Sequence, residues 1–170
     1  LLDRLTGRAD GDPRSLAGLA YRAPDGTTAT TGRRDNLKDL DGLPFPAWDL
    51  VDVDRYRRAW ARHGRFSMNV ATTRGCPFHC NWCAKPIWGQ RYNARSPENV
   101  AQELKWLKDR FQPDHIWFVD DIMGLKPGWL ERFADLIEEL DARVPFKCLN
   151  RVDLLLRGDT IGALVQPCSL

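Results

Sequence analysis

No stretch of this sequence approaches the roughly 18–20 apolar residues that cross a bilayer, so no membrane span is expected. Charge of one sign is also lacking: 25 basic residues face 23 acidic ones, for a net charge of +2. The basic residues are scattered among acids and apolar residues, as in Arg55, Arg57, Arg58 and Arg62, and nucleic acid is not an expected partner. Leu1 to Asp10 alternates apolar and charged residues and forms no signal peptide. There is no initiator Met, no low-complexity tract and no repeat at a solenoid period. Cysteine is scarce and odd in number: five in all, three of them within eight residues. A disulfide framework favours even counts and a smaller, loop-rich chain. Clustered thiols without a secretion signal point instead to a metal site in the cytoplasm.

What is present suits a folded domain, since 43% hydrophobic and 28% charged residues can build a core. Residues 1–12 read as the end of a helix and a polar loop. Leu16–Arg22 and Thr27–Thr31 are short strand candidates around Ala23-Pro24-Asp25-Gly26, where Pro presets one turn angle, Asp caps and Gly accepts positive φ. Leu43-Pro44-Phe45-Pro46 excludes a regular helix or inner strand, because two prolines lack donors. Residues 33–65 therefore read as a linker, anchored on a neighbour by Trp48, Leu50, Val51, Tyr56 and Trp60.

From Phe66 the pattern becomes strand, helix, strand, helix, strand, helix. Phe66–Thr72, Ile116–Val119 and Pro145–Leu149 are the strands. The helices open at Ser96-Pro97, after Lys126-Pro127 and at Thr160. The apolar run Ile116-Trp117-Phe118-Val119 suggests a parallel strand covered on both faces. Such alternation predicts an α/β fold with parallel strands and right-handed crossovers. A closed barrel of this kind needs eight βα units and about 250 residues. Three units cannot close, so the chain is either a small open sheet or the first part of a barrel truncated at both ends, the reading that the missing Met and the stop at Cys168-Ser169-Leu170 favour, with two open sheet edges.

The chemistry sits in Arg74-Gly75-Cys76-Pro77-Phe78-His79-Cys80-Asn81-Trp82-Cys83, with spacing Cys-x3-Cys-x2-Cys. Three thiolates on one loop can hold three corners of a 4Fe–4S cluster and leave the fourth iron open to a ligand. A structural zinc site would want a fourth ligand, for which His79 or His63 is at hand. An electron carrier would want a fourth cysteine, and Cys148 and Cys168 are each a helix or more away.

Cys76-x3-Cys80-x-Trp82-Cys83 resembles the signature of radical S-adenosylmethionine enzymes, which carry an aromatic residue before the last cysteine. The linker Leu40-Asp41-Gly42-Leu43-Pro44-Phe45-Pro46-Ala47-Trp48 and the hairpin around Asp25-Gly26 resemble a narrower group. So do Arg91, Arg95-Ser96-Pro97, Val119-Asp120-Asp121 and Asn150-Arg151-Val152-Asp153. That group joins a cobalamin-binding domain to the radical core and includes magnesium-protoporphyrin ester cyclases and methyltransferases.

The resemblance implies that residues 1–32 are the tail of an upstream cobalamin domain, 33–65 the linker and 66–170 the first half of the radical core. It implies cluster ligands Cys76, Cys80 and Cys83, with S-adenosylmethionine on the open iron, cleaved to a 5′-deoxyadenosyl radical. Trp82 would lie near the adenine. One of Asp120 and Asp121 would accept from the methionine ammonium, unless the pair only caps or solvates its loop. Asn150 and Arg151 would contact the cofactor or substrate, or form a structural ion pair. Arg91 and Arg95 would neutralise the cluster loop or, as the favoured reading, are surface charges, and Cys148 is read as a small core residue. The partners implied are a small-molecule substrate and an electron donor such as a flavodoxin or ferredoxin.

Overall fold

A computed structural model describes residues 1–83, 90–158 and 160–165. Residues 84–89 of the cysteine loop and Cys168 lie outside these. The chain divides into two units, Leu1–Leu37 and Lys38–Leu170.

The first unit holds the short helix α1 (Leu2–Leu5) and an antiparallel hairpin of β1 (Ala20–Arg22) and β2 (Thr28–Thr30). The turn works as its residues require. The Asp25 carboxylate accepts from the Thr27 N–H and hydroxyl, at 2.9 and 2.7 Å. Gly26 takes φ +84°, which only glycine adopts cheaply.

The second unit is built on a parallel sheet in the order β3 (Ser67–Val70), β6 (His115–Phe118), β7 (Phe146–Lys147). Between β3 and β6 a small antiparallel pair, β4 (Thr73–Arg74) and β5 (Asn93–Ala94), is followed by α3 (Pro97–Phe111). α4 (Trp129–Glu139) joins β6 to β7, and α5 (Val152–Leu155) and α6 (Thr160–Val165) come after. The expected α/β class with parallel strands is what the chain forms. The third strand is shorter than predicted, and an extra helical turn, α5, follows it.

α3 starts as its sequence dictates. The Ser96 hydroxyl accepts from the Asn99 N–H at 3.1 Å, and Pro97 occupies the first turn, where its missing N–H costs nothing. Val100, Leu104 and Leu107 of α3 and Leu130, Phe133 and Ile137 of α4 bury against Met68, Val70, Ile116 and Phe118. The expectation that the second strand is covered on both faces fails. Ile116 and Phe118 point into the core, while Trp117 alternates outward and is 42% exposed. It shares a register row with Asn69 and Lys147. The run was apolar because Trp counts as apolar, yet the period-2 pleat still sent it to the other face.

Before the sheet, α2 (Val53–Ala61) is capped by Asp52, which accepts from the Arg55 N–H at 2.9 Å. Trp48 and Trp60 pack on the core, as expected of anchors, and Val53 joins them, whereas Leu50, Val51 and Tyr56 stay exposed. Among the described residues no helix is long and apolar enough to cross a membrane.

Candidate metal and cofactor site

Three segments leave the C-terminal ends of the parallel strands β3, β6 and β7. The cysteine loop follows β3, Asp120-Asp121 follows β6, and Asn150-Arg151 follows β7. This edge is where sheets of this kind gather their chemistry.

The loop is clasped at its base. β4 pairs Thr73 with Ala94 and Arg74 with Asn93, which brings the two ends of the segment together. Gly75 turns into the loop at φ +85°, a left-handed angle that puts Cys76 beneath the surface. Cys76 is buried with Ile122 and Leu154, and Phe78 and Leu125 pack alongside. Cys80 and Cys83 are half-buried and joined by a turn in which the Cys83 N–H donates to the Cys80 carbonyl at 3.1 Å. Trp82 lies at the tip of that turn, 88% exposed. None of Cys76, Cys80, Cys83 and Cys148 is in a disulfide.

Among the described residues no three His, Cys, Asp or Glu side chains converge on the position of one ion. A cubane gives each thiolate its own iron and spreads the sulfurs apart. Three cysteines on one loop, with no fourth thiol in the described part of it, suit such a cluster with one iron left open.

Asp120 and Asp121 are neighbours with opposite surroundings. Asp120 is 4% exposed. Its Oδ1 accepts from the Thr72 N–H (2.8 Å), the Thr73 N–H (2.7 Å) and the Thr73 hydroxyl (3.0 Å), and its Oδ2 accepts from the Thr72 hydroxyl at 2.8 Å. Burial pushes its carboxyl above the usual range, and the four hydrogen bonds pull the other way. Asp121 is exposed.

Asn150 spends its side chain on backbone. Nδ2 donates to the Met123 carbonyl at 3.1 Å and Oδ1 accepts from the Arg151 N–H at 2.8 Å. Arg151 lays its guanidinium over the Phe78 ring, 3.7 Å from the centroid, and its Nε donates to Asp153 at 2.8 Å. The Asp153 bond raises the pKa of Arg151, and Cys80 and Cys76 are close enough to add to the effect.

Arg95 corrects an expectation. Read as a surface charge, it is buried in an ion pair with Glu103 and donates to the Ala71 carbonyl at 3.0 Å and to Asn99 at 2.6 Å. Glu103 lies on the inward face of α3 and is 1% exposed. A charge can sit there only because Arg95 meets it. Arg91 is exposed as expected, and Cys148 packs at the margin of the core.

Sequence reasoning missed four residues. Thr72 and Thr73 hold Asp120, and Phe78 carries Arg151. Tyr92 places its hydroxyl where the Leu125 N–H donates to it at 3.2 Å, close to Asp120 and Cys76. Burial pushes its phenol up to about 12. Only the aromatic character of Phe78 and Tyr92 beside the cysteines could have signalled them.

No family profile matches the chain. It is 31% identical over 113 residues, 66% of its length, to an uncharacterized methyltransferase of Pyrococcus horikoshii, covering 24% of that protein. It is 27% identical over 164 residues, 96% of its length, to the anaerobic magnesium-protoporphyrin IX monomethyl ester cyclase of Rubrivivax gelatinosus, covering 29% of that protein. In fold it is similar to the cobalamin-dependent S-adenosylmethionine radical enzyme OxsB, at TM-score 0.72 and 15% identity over 98% of this chain and 24% of that one. The chain thus spans about a quarter to a third of these proteins. Its sequence relatives are a cyclase and methyltransferases, and its fold is that of a radical S-adenosylmethionine enzyme.

Proposed function

We propose that the protein takes part in radical S-adenosylmethionine catalysis, with a 4Fe–4S cluster held by Cys76, Cys80 and Cys83. The observation that carries this is the Cys-x3-Cys-x2-Cys loop clasped at the C-terminal edge of a parallel sheet. When bound, a cluster with one open iron supplies the electron that cleaves S-adenosylmethionine to methionine and a 5′-deoxyadenosyl radical. The chain's own residues receive and shield these groups. Cys76 anchors the cluster from a dry apolar pocket, where water is excluded. Arg151, braced on Phe78, sets a positive charge beside a loop of anionic thiolates. Trp82 is free to cover an adenine face, and Asp121 is open to accept from an ammonium.

In this reading the chain forms the opening βα units of a barrel, residues 66–170, whose inner face includes the Asn69–Trp117–Lys147 row. Residues 33–65 link it to a cobalamin-binding domain of which residues 1–32 are the tail. The protein then works in the cytoplasm on a small molecule, by methyl transfer, ring closure or related chemistry. A flavodoxin- or ferredoxin-like donor supplies the electron. The cyclase and methyltransferase relatives and the OxsB-like fold support it.

The test is anaerobic reconstitution with iron and sulfide, followed by electron paramagnetic resonance of the reduced protein. A 4Fe–4S signal that shifts on adding S-adenosylmethionine, and is lost in the Cys76→Ala, Cys80→Ala and Cys83→Ala variants, is the expected result. Zinc in place of a cluster, or a cluster indifferent to the cofactor, sinks the proposal.

A further inference from the structure

We infer that Asp120 is the positioning residue of the cysteine loop: its buried carboxylate fixes Thr72 and Thr73, and through them Cys76, and it is not a ligand of the cofactor. This rests on the cluster reading above.

A carboxylate offers about four acceptor sites. Asp120 takes four hydrogen bonds from one dipeptide, three on Oδ1 and one on Oδ2, so a single Oδ2 position is left. A methionine ammonium would have to reach that position in a residue only 4% exposed. Asp121, next in sequence, carries no such obligation and faces outward. The Asp-Asp pair therefore divides its labour, with the first acid turned to the protein and the second to the ligand.

The grip falls at the right place. Thr72 and Thr73 lie between the end of β3 and Cys76, with only Arg74 and Gly75 intervening. The same two residues are held from the other side, since the Arg95 N–H donates to the Thr72 carbonyl at 2.9 Å and Thr73 pairs with Ala94. Asp120 thus ties the end of β6 to the start of the loop that follows β3, two segments that, among the described residues, no ladder bond joins beyond the Val119 N–H to Val70 carbonyl contact. Cys76 is the one thiol of the three already buried.

The chemistry separates two substitutions. Asp120→Asn keeps an oxygen for the three donors on Oδ1, and its new NH2 can donate to the Thr72 hydroxyl, which can accept. Asp120→Ala leaves two N–H groups and two hydroxyls without that partner. The full-length protein and its variants are reconstituted anaerobically with iron and sulfide. Iron and labile sulfide per chain, the rate of iron loss to a chelator, the resonance spectrum with and without S-adenosylmethionine, and the melting temperature are then recorded. Ile137→Ala, in the α4 core and outside this network, controls for plain destabilisation.

Asp120→Ala is expected to lose iron about 10-fold faster or more, the usual effect of removing a group that orients a ligand. In iron loss Asp120→Asn, Asp121→Ala and Ile137→Ala should stay close to the unaltered protein, while Asp121→Ala should weaken the response to S-adenosylmethionine. Equal iron loss from Ile137→Ala and Asp120→Ala overturns the inference, because the effect is then global. So does iron loss in Asp120→Asn as large as in Asp120→Ala, or an Asp120→Ala variant that keeps its cluster and loses only the response to S-adenosylmethionine. An unaltered protein that takes up no cluster sinks the proposed function as well, a result distinct from all of these.

Discussion

The two halves of the cysteine motif are held in opposite ways. Around Cys76 the backbone is clasped by β4 and β5, bonded to Asp120 and packed under Ile122 and Leu154. Around Cys80 and Cys83, among the described residues, there is one backbone turn bond, and the exposed indole of Trp82. One thiol is placed by the fold, and the other two sit half-buried on a turn. Preorganisation is concentrated at Cys76, which follows Gly75 at its left-handed φ and is buried. Adaptability is left where ligands must come and go.

The contrast can be broken from its rigid side first. Glu103→Ala strands Arg95 in the interior, beneath the Ala71 carbonyl at the foot of the loop. It should cost about 3–5 kcal/mol of folding stability, measured by urea unfolding. A loss below about 1 kcal/mol would mean that the base of the loop is not held as tightly as the buried pair implies.

Tyr92→Phe is the middle test. It removes the acceptor for the Leu125 N–H and should cost about 0.5–1.5 kcal/mol. It also changes the alkaline limb. A phenol raised from 10.0 to about 12 in the fold keeps the folded state favoured below pH 10, and that contribution is lost as pH rises through 12. Stability of the unaltered protein should therefore fall more steeply between pH 10 and 12 than that of Tyr92→Phe. Parallel profiles would show that Tyr92 is not buried beside the loop.

On the open side, Trp82→Ala should leave folding stability within about 0.5 kcal/mol. Its affinity for S-adenosylmethionine, measured by equilibrium dialysis on the clustered protein, should fall. A large stability loss would place the indole in the core and erase the difference between the two halves.

Much of this was legible in the residues. Ser96-Pro97 announces α3, the 3.6-residue spacing of Val100, Leu104 and Leu107 gives its inward face, and Pro24-Asp25-Gly26 gives the hairpin. The motif residues needed only their spacing to be noticed. Long-range pairing was not legible. Nothing local reveals that Arg95 meets Glu103 two helical turns on, because a charge at a core position reads as surface until its partner is known. For the same reason Asp120 and Asp121 looked equivalent. Their difference comes from Thr72 and Thr73, 47 or 48 residues away along the chain. The outward turn of Trp117 was readable in principle, since strand alternation outranks apolar character.

Unequal burial of the three thiols also sets a schedule. Before any metal arrives, Cys80 and Cys83 meet solvent while Cys76 lies in its apolar pocket. Oxidants and alkylating agents reach the outer pair first, since access governs such reactions. Damage therefore begins at the two thiols on the turn and spares the one that the fold has set in place.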